Sequence, residues 1–380
     1  MARWPWRDDV ASPHDFENAF SKQIQQCSRC GFCQAVCPVY GVTLRPSYNA
    51  RGKMLILKEV MEKRIPLNDE LIETLFQCTT CGHCEKTCPS GVTVSDMIRK
   101  VRKDMVGVGS CHPVLKGMNE VLKKQKNIYG ETHSEDFGRD KNRKAEVVYF
   151  VGCVGAYREK EATSSALKLL DRLQVNFTLI DEVCCSGALE DIGYEINRAL
   201  VQKNTDAILA TGASTVITGC PYCFRTFAHH PSYAALKERL LRILPMISFL
   251  REFRFGVATE KRVTYHDPCD LGRHLGIYEE PREVIQQIAP AFVEMRHNRA
   301  DALCCGAGGG VRGAYPKNSI AIARRRLQEA EEVGAEIILT ECNSCVHNLM
   351  NAKRSRQNFR IRTTAQFINE LMEEASSVGG

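Results

Sequence analysis

No stretch of the 380-residue chain reaches the roughly 18 consecutive apolar residues that a membrane-spanning helix needs, which excludes such a span. The opening MARWPWRDDVASPHD has no apolar core ahead of its first acidic residues, so no secretory leader is expected. Only two tryptophans occur, Trp4 and Trp6, in a tail expected to order against another subunit. Neither sign of charge dominates. The 51 Lys and Arg against 45 Asp and Glu leave +6, too little at this length to indicate nucleic acid, and no nucleic-acid-binding signature is present. With 44% apolar and 25% charged residues, the composition is that of an ordinary globular protein long enough for two or three domains. A cytoplasmic location is expected, with docking on the inner face of a membrane only through a partner subunit.

Cysteine is what abounds, with 19 residues. Without an export signal this argues against a disulfide framework, because reducing compartments keep thiols free and clustered thiolates there bind metals or do redox chemistry. Cys27-x2-Cys30-x2-Cys33-x3-Cys37-Pro38 and Cys78-x2-Cys81-x2-Cys84-x3-Cys88-Pro89 each fit the bacterial ferredoxin run. Two-residue spacings let one loop wrap three irons of a cube, while the distal cysteine crosses to the other cluster. One cubane [4Fe–4S] is therefore assigned to Cys27, Cys30, Cys33 and Cys88, the other to Cys78, Cys81, Cys84 and Cys37. Zinc knuckles or buried free thiols are the competing readings. Between the runs, residues 49–77 follow a helical period through Met54, Leu55, Leu57 and Met61, then Leu71, Ile72 and Leu75, with Asn68 placed to cap the second helix. A further helix is expected over Val94–Met105. Helices rather than hairpins between ligand sets predict a helical ferredoxin domain over residues 1–112.

Residues 113–145 pass one amphipathic stretch, end in a polar unpatterned tail and are expected to be a linker. From Val147 the chain repeats itself. VVYFVGC matches VTYHDPC, Cys184-Cys185 matches Cys304-Cys305, and TVITGCPYC matches EIILTECNSC, at offsets of 116, 120 and 122 residues. The two halves span 146–258 and 259–380. In each, β-branched runs alternate with helical patterns such as Arg198–Ala210 and Ile320–Val333. That alternation predicts βα units around mainly parallel sheets, with cysteines just past strand C-termini, where open α/β sheets bind ligands. The expected fold class is thus α plus α/β: a helical ferredoxin domain followed by two repeated α/β cysteine-rich domains.

Each half carries one cysteine after a strand, a Cys-Cys pair and a Cys-x2-Cys. The first set is Cys153, Cys184, Cys185, Cys220 and Cys223; the second is Cys269, Cys304, Cys305, Cys342 and Cys345. Five thiolates exceed what a tetrahedral zinc or one cubane takes, and adjacent cysteines point in different directions, so a pair can bridge two irons of an irregular cluster. Zinc on four of the five, a glutaredoxin-like Cys220-Pro-Tyr-Cys223 redox pair, and inert core cysteines are the alternatives. Gly308-x-Gly310-x2-Gly313 formally satisfies a dinucleotide fingerprint. It follows Cys304-Cys305 rather than a strand, however, and lacks the acidic ribose partner. Gly306 and Gly308–Gly310 are expected instead to let backbone N–H groups approach cluster sulfides.

Two ferredoxin runs followed by two CCG-type repeats resemble the D-type polypeptide of heterodisulfide reductase, over nearly all of residues 16–350. The resemblance implies that each five-cysteine set holds a noncubane [4Fe–4S] cluster, making four clusters in all. It further implies that a small-molecule disulfide is cleaved or formed between the noncubane pair, with the ten cysteines as the catalytic ligands. All ten positions match. The first repeat reads Cys184-Cys185-Ser186-Gly187 where the second has Cys304-Cys305-Gly306, which spares the ligands and alters the loop. The same layout resembles iron–sulfur subunits of glycolate, lactate and anaerobic glycerol-3-phosphate dehydrogenases. That likeness implies the alternative of a relay from a flavoprotein to quinone through a membrane b-type cytochrome. Either way a redox partner subunit is implied.

Proton donors for thiol release are sought in His266-Asp267, His274 and His229-His230. Cys111 stands outside every set and reads as a free thiol. Leu240–Phe255 is amphipathic and basic, and is expected to be a helix packed on its own sheet, with membrane docking as the alternative. Arg324-Arg325-Arg326 and Lys353–Arg362 are expected to be solvated helix faces, with a docking surface for an acidic partner as the alternative.

Overall fold

A computed structural model describes residues 21–62, 64–65, 68–132 and 137–378; Trp4 and Trp6 lie outside them. Two compact units are present. One holds the described residues up to Gly117 with Ala188–Glu195 and Gly306–Ile322; the other holds 118–187, 196–305 and the chain from Ala323 onward.

The first unit is helical. Its longer elements are α1 (Ala50–Met61), α2 (Asp69–Phe76) and α3 (Val94–Gly107). Asn49 and Asn68 cap the first two, their side chains accepting from the Gly52 and Leu71 N–H groups at 2.9 Å each. The buried stripe of α1 runs Ala50, Met54, Leu57, Val60, and that of α3 runs Met97, Ile98, Val101, Met105. Each stripe also carries one buried cation, Lys53 on α1 and Arg102 on α3. The expected linker contains a helix, α4 (Pro113–Gln125).

The second unit holds most of both repeats. The first half runs β1 (Val147–Phe150), α5 (Lys160–Arg172), β2 (Phe177–Thr178), α6 (Arg198–Ala210), β3 (Thr215–Thr218), α7 (Pro221–His229), β4 (Arg242–Pro245) and α8 (Met246–Leu250). The second runs β5 (Val263–Tyr265), α9 (Glu279–Ile288), α10 (Pro316–Glu332), β6 (Ile337–Thr340), α11 (Asn343–Ala352), β7 (Arg360–Thr363) and α12 (Thr364–Val378). The sheet orders are β2-β1-β3-β4 and β5-β6-β7, parallel throughout. Every residue of β1, β3 and β6 is buried, as strands covered on both faces require. One apolar core joins the halves, with Tyr149, Leu169 and Ile217 of the first packed in the same cluster as Tyr265, Leu339 and Phe367 of the second.

Three expectations change. Leu240–Phe255 is not one helix: β4 pairs in parallel with β3, and the short α8 starts only after Pro245, whose missing N–H suits a helix boundary. Lys353–Arg362 is not helical either, since α11 ends at Ala352 and β7 begins at Arg360. Arg324 and Arg325 face solvent, but Arg326 is buried.

Candidate functional site

The two ferredoxin runs fold alike. In each, the residue before the second cysteine and the glycine after it are left-handed: Arg29 at φ +58° and Gly31 at +91°, Thr80 at +52° and Gly82 at +69°. Left-handed residues on both sides of one cysteine curl the loop so that its sulfurs converge. A short helix, Phe32–Ala35 or His83–Lys86, then carries the third cysteine.

The distal cysteines lie beside the opposite runs. The sulfurs that bear on Cys33 are those of Cys27, Cys30 and Cys88; those that bear on Cys84 are Cys78, Cys81 and Cys37. Burial pushes the Cys33, Cys37 and Cys84 thiols up, and the neighbouring sulfurs add to it. Thiolates crowded this way need a cation among them. The Thr80 N–H donates to Cys78 Sγ at 3.4 Å and the Val92 N–H to Cys88 Sγ at 3.5 Å. Cys30 is exposed whereas Cys81 is buried.

Each later half gathers its own five sulfurs. Cys220 and Cys342 are the N-caps of α7 and α11, which puts Cys223 and Cys345 in the first turns, where the helix dipole favours a thiolate. Cys185 Sγ lies 3.4 Å from Cys223 Sγ, and Cys305 Sγ lies 3.3 Å from Cys345 Sγ. Cys153 bears most on Cys184, and Cys304 and Cys305 bear on Cys269. The two sets also approach each other, the Cys220 and Cys342 side chains lying close enough to bear on one another's charge. Beside them, Asn343 Nδ2 donates to the Gly219 carbonyl at 3.3 Å.

The loops around these sulfurs are tied down. Asn204 Nδ2 donates to the Val183 and Cys184 carbonyls at 3.0 and 3.4 Å, and Asn348 Nδ2 to the Cys305 carbonyl at 2.6 Å. A Cβ on Gly152 would come within 3.2 Å of Cys223 Sγ. Ser186 occupies, at φ +68°, the left-handed conformation that Gly306 occupies at +85°, and its hydroxyl accepts from the Asn197 N–H at 2.7 Å. A soft, all-sulfur donor set of this density suits an iron–sulfur group.

Among the proton-donor candidates, burial and the nearby Arg326 cation lower His266 to about 3, so the ring is neutral. The Asp267 carboxylate is taken by Arg282, at 2.8 and 3.0 Å, and by the Arg299 N–H at 2.9 Å. His230 Nδ1 accepts from the Ser232 N–H at 3.1 Å, a turn cap. Cys111 is half-buried, its thiol pushed up by burial. Two carboxyls escape the sequence reading, Glu182 half-buried and Glu341 buried. Glu182 accepts from the Val151 and Gly152 N–H groups at 2.8 Å each, yet burial pushes it up to about 8. Glu341, bonded to the Thr364 hydroxyl, is raised by burial to about 7.

The glycine segment lies against the second ferredoxin run. A Cβ on Gly308 would lie 2.5 Å from the Thr79 carbonyl oxygen, and one on Gly309 only 2.2 Å from that of Cys78. These glycines allow close backbone contact with the second ferredoxin run, at the carbonyls of Cys78 and Thr79.

Residues 147–228 and 263–350 match the cysteine-rich domain called CCG, and residues 23–92 match a 4Fe-4S dicluster domain. The D-type polypeptide of the dihydromethanophenazine:CoB–CoM heterodisulfide reductase of Methanosarcina acetivorans is 30% identical over 370 residues, covering 88% of this chain and 90% of that protein. The chain belongs to the D-type heterodisulfide reductase family. Like that family, it combines 4Fe-4S dicluster and CCG domains, and it is an iron–sulfur oxidoreductase. Beyond the heterodisulfide reductases, the glycolate oxidase iron-sulfur subunit of Escherichia coli is 22% identical, covering 92% of this chain and 95% of that one. The solved structure of a hypothetical protein from Helicobacter pylori shares the fold, with a TM-score of 0.59 at 12% identity over 98% of this chain and 79% of that one.

Proposed function

We propose that this chain takes electrons from a partner subunit through two cubane [4Fe–4S] clusters and delivers them to a noncubane pair, where a small-molecule disulfide is reduced, or formed in reverse. Cys27, Cys30, Cys33 and Cys88 hold one cubane; Cys37, Cys78, Cys81 and Cys84 hold the other. Cys153, Cys184, Cys185, Cys220 and Cys223 hold one noncubane cluster, and Cys269, Cys304, Cys305, Cys342 and Cys345 its counterpart. The observation that carries this reading is the meeting of two complete five-cysteine sets at Cys220 and Cys342.

When bound, the clusters supply electrons one at a time and iron sites for thiolate. The protein's part is to hold and shield. Asn204 and Asn348 fix the Cys-Cys loops, and burial of Cys184, Cys185, Cys304 and Cys305 keeps water from the sulfurs. In the reduction the S–S bond of R–S–S–R′ breaks, and two electrons and two protons enter to give RSH and R′SH. The test is the anoxically purified full chain, reduced by a viologen dye and offered mixed disulfides. Thiol release is expected, and its absence from iron-replete protein overturns the reading. Zinc in one five-cysteine set is the minor alternative, excluded by iron in large excess over zinc.

A second reading follows from the likeness to the glycolate oxidase iron-sulfur subunit, which spans nearly both chains. On it the chain is a relay from a flavoprotein dehydrogenase to a membrane b-type cytochrome, without substrate chemistry. Co-purification with a flavin enzyme whose organic acid is needed for turnover selects it. No helix among the described residues is long and apolar enough to cross a membrane. We place the chain in the cytoplasm, held at the inner membrane face by its partner.

A further inference from the structure

Two cations in the helical unit are buried without a carboxylate ion pair among the described residues. Lys53 on α1 is 2% exposed, and its ammonium donates to the Tyr48 carbonyl. Arg102 on α3 is 0% exposed. Its guanidinium donates to the carbonyls of Leu75 (3.2 and 2.8 Å), Cys78 (2.8 Å), Gly309 (3.0 Å) and Asp191, and it lies over the Phe76 ring at 5.0 Å. The Asp191 carboxylate is engaged elsewhere, by Arg99 at 2.6 Å and the Thr80 hydroxyl at 3.0 Å.

A buried cation satisfied only by neutral carbonyls is costly unless an anion lies close by. The sulfurs of one foursome supply most of that role: Cys78 bears most on both cations, Cys37 and Cys84 also bear on Lys53, and the Asp191 carboxylate adds to Cys78 at Arg102. The other foursome has no fully buried cation among the described residues; Arg51, whose backbone meets Cys33, is half-buried, with its Nε shut off from water. Cys30 and Arg29 are exposed, and Lys58 reaches solvent while pairing with Glu62 at 3.8 Å. Charges open to water act through a high dielectric and are screened by salt; buried ones are not.

We propose that Lys53 and Arg102 are fixed counter-charges for the centre at Cys37, Cys78, Cys81 and Cys84, holding its reduction potential above that of the centre at Cys27, Cys30, Cys33 and Cys88. A cubane gains one negative charge on reduction, so a buried cation beside it favours the reduced form. One electron then moves from the reduced, exposed centre to the oxidised, buried one; the first is oxidised, the second reduced, and no bond changes. This rests on the cubane assignment above, and it adds an order to the two centres.

The test is an EPR-monitored redox titration of the anoxic, iron-replete full chain, with Cys30→Ser used to mark the exposed centre's signal. Two front potentials are expected in the wild type, the buried centre the higher. Lys53→Met should lower that one alone, shifting the electron's distribution between the centres by about tenfold, ~59 mV for a one-electron couple. Lys53→Arg should restore it. Equal potentials in the wild type, or an iron-replete Lys53→Met protein with both potentials unmoved, overturns this proposal and leaves the cubane assignment standing. Protein without iron or labile sulfide after anoxic reconstitution overturns both.

Discussion

Arg326 Nε donates to His266 Nδ1 at 3.1 Å, and that bond fixes the state of the ring. A guanidinium cannot accept, so Nδ1 is the acceptor and Nε2 carries the hydrogen. Nε2 has no hydrogen-bond partner among the described residues, while His266, Cys305 and Cys345 offer ligand atoms within 4.8 Å of one another. Arg326 itself is anchored by the Tyr265 carbonyl at 3.2 Å, the His297 carbonyl at 2.6 Å and Glu329 at 2.6 Å.

Arg326→Gln strips donors from Glu329 and two carbonyls in a buried setting, so stability is expected to fall by about 3 kcal/mol. Anoxic urea unfolding measures it. Arg326→Lys should recover only part, because an ammonium lacks the planar fork.

Asp267 stands two residues before Cys269 and binds Arg282 in a fully buried pair. Asp267→Ala leaves that guanidinium with the Glu294 carboxylate and the Tyr278 carbonyl, and a loss of about 3 kcal/mol is expected. Iron per chain should fall with it, read by metal analysis, because the loop that presents Cys269 loses its anchor.

Gly309→Ala forces a Cβ to 2.2 Å from the Cys78 carbonyl oxygen at φ +59°. Lowered stability and a disturbed second ferredoxin run are expected, seen as a changed EPR signal from one cubane. Gly117→Ala gives the opposite sign. That glycine is exposed inside α4 with nothing within 4 Å of an added Cβ, so a gain of about 0.5–1 kcal/mol is expected by thermal or urea unfolding.

Cys220→Ser and Cys342→Ser are expected to behave alike, though they lie in different repeats. Each removes one side of the contact between the sets, so each should abolish any signal induced by added thiol while both cubane signals stay. EPR of the two variants beside the wild type checks this; a variant that loses only its own half's response contradicts it.

Local features were the most legible in the sequence. The Asn68 cap, α6 over Arg198–Ala210 and the parallel α/β halves follow from side-chain chemistry and periodicity within a few residues. What was hidden depends on partners far along the chain. Lys53, Arg102 and Arg326 each fall three or four residues from apolar positions on the buried stripe of their helix, next to Leu57, Met105 and Ala323. A cation there is an anomaly in helical projection, but sequence does not show which distant carbonyls and sulfurs receive it. Leu240–Phe255 misled because an amphipathic pattern does not distinguish one helix from an edge strand and a short helix; Pro245 was the clue. The glycines at 308 and 309 answer to Cys78 and Thr79, a pairing no local motif encodes.

A duplicated module ordinarily frees one copy to decay while its twin keeps the trade. The junction of Cys220 with Cys342 removes that freedom, since each repeat contributes one half of a single meeting point. The two copies then work as a single unit, differing at the rim, where serine stands at 186 opposite glycine at 306.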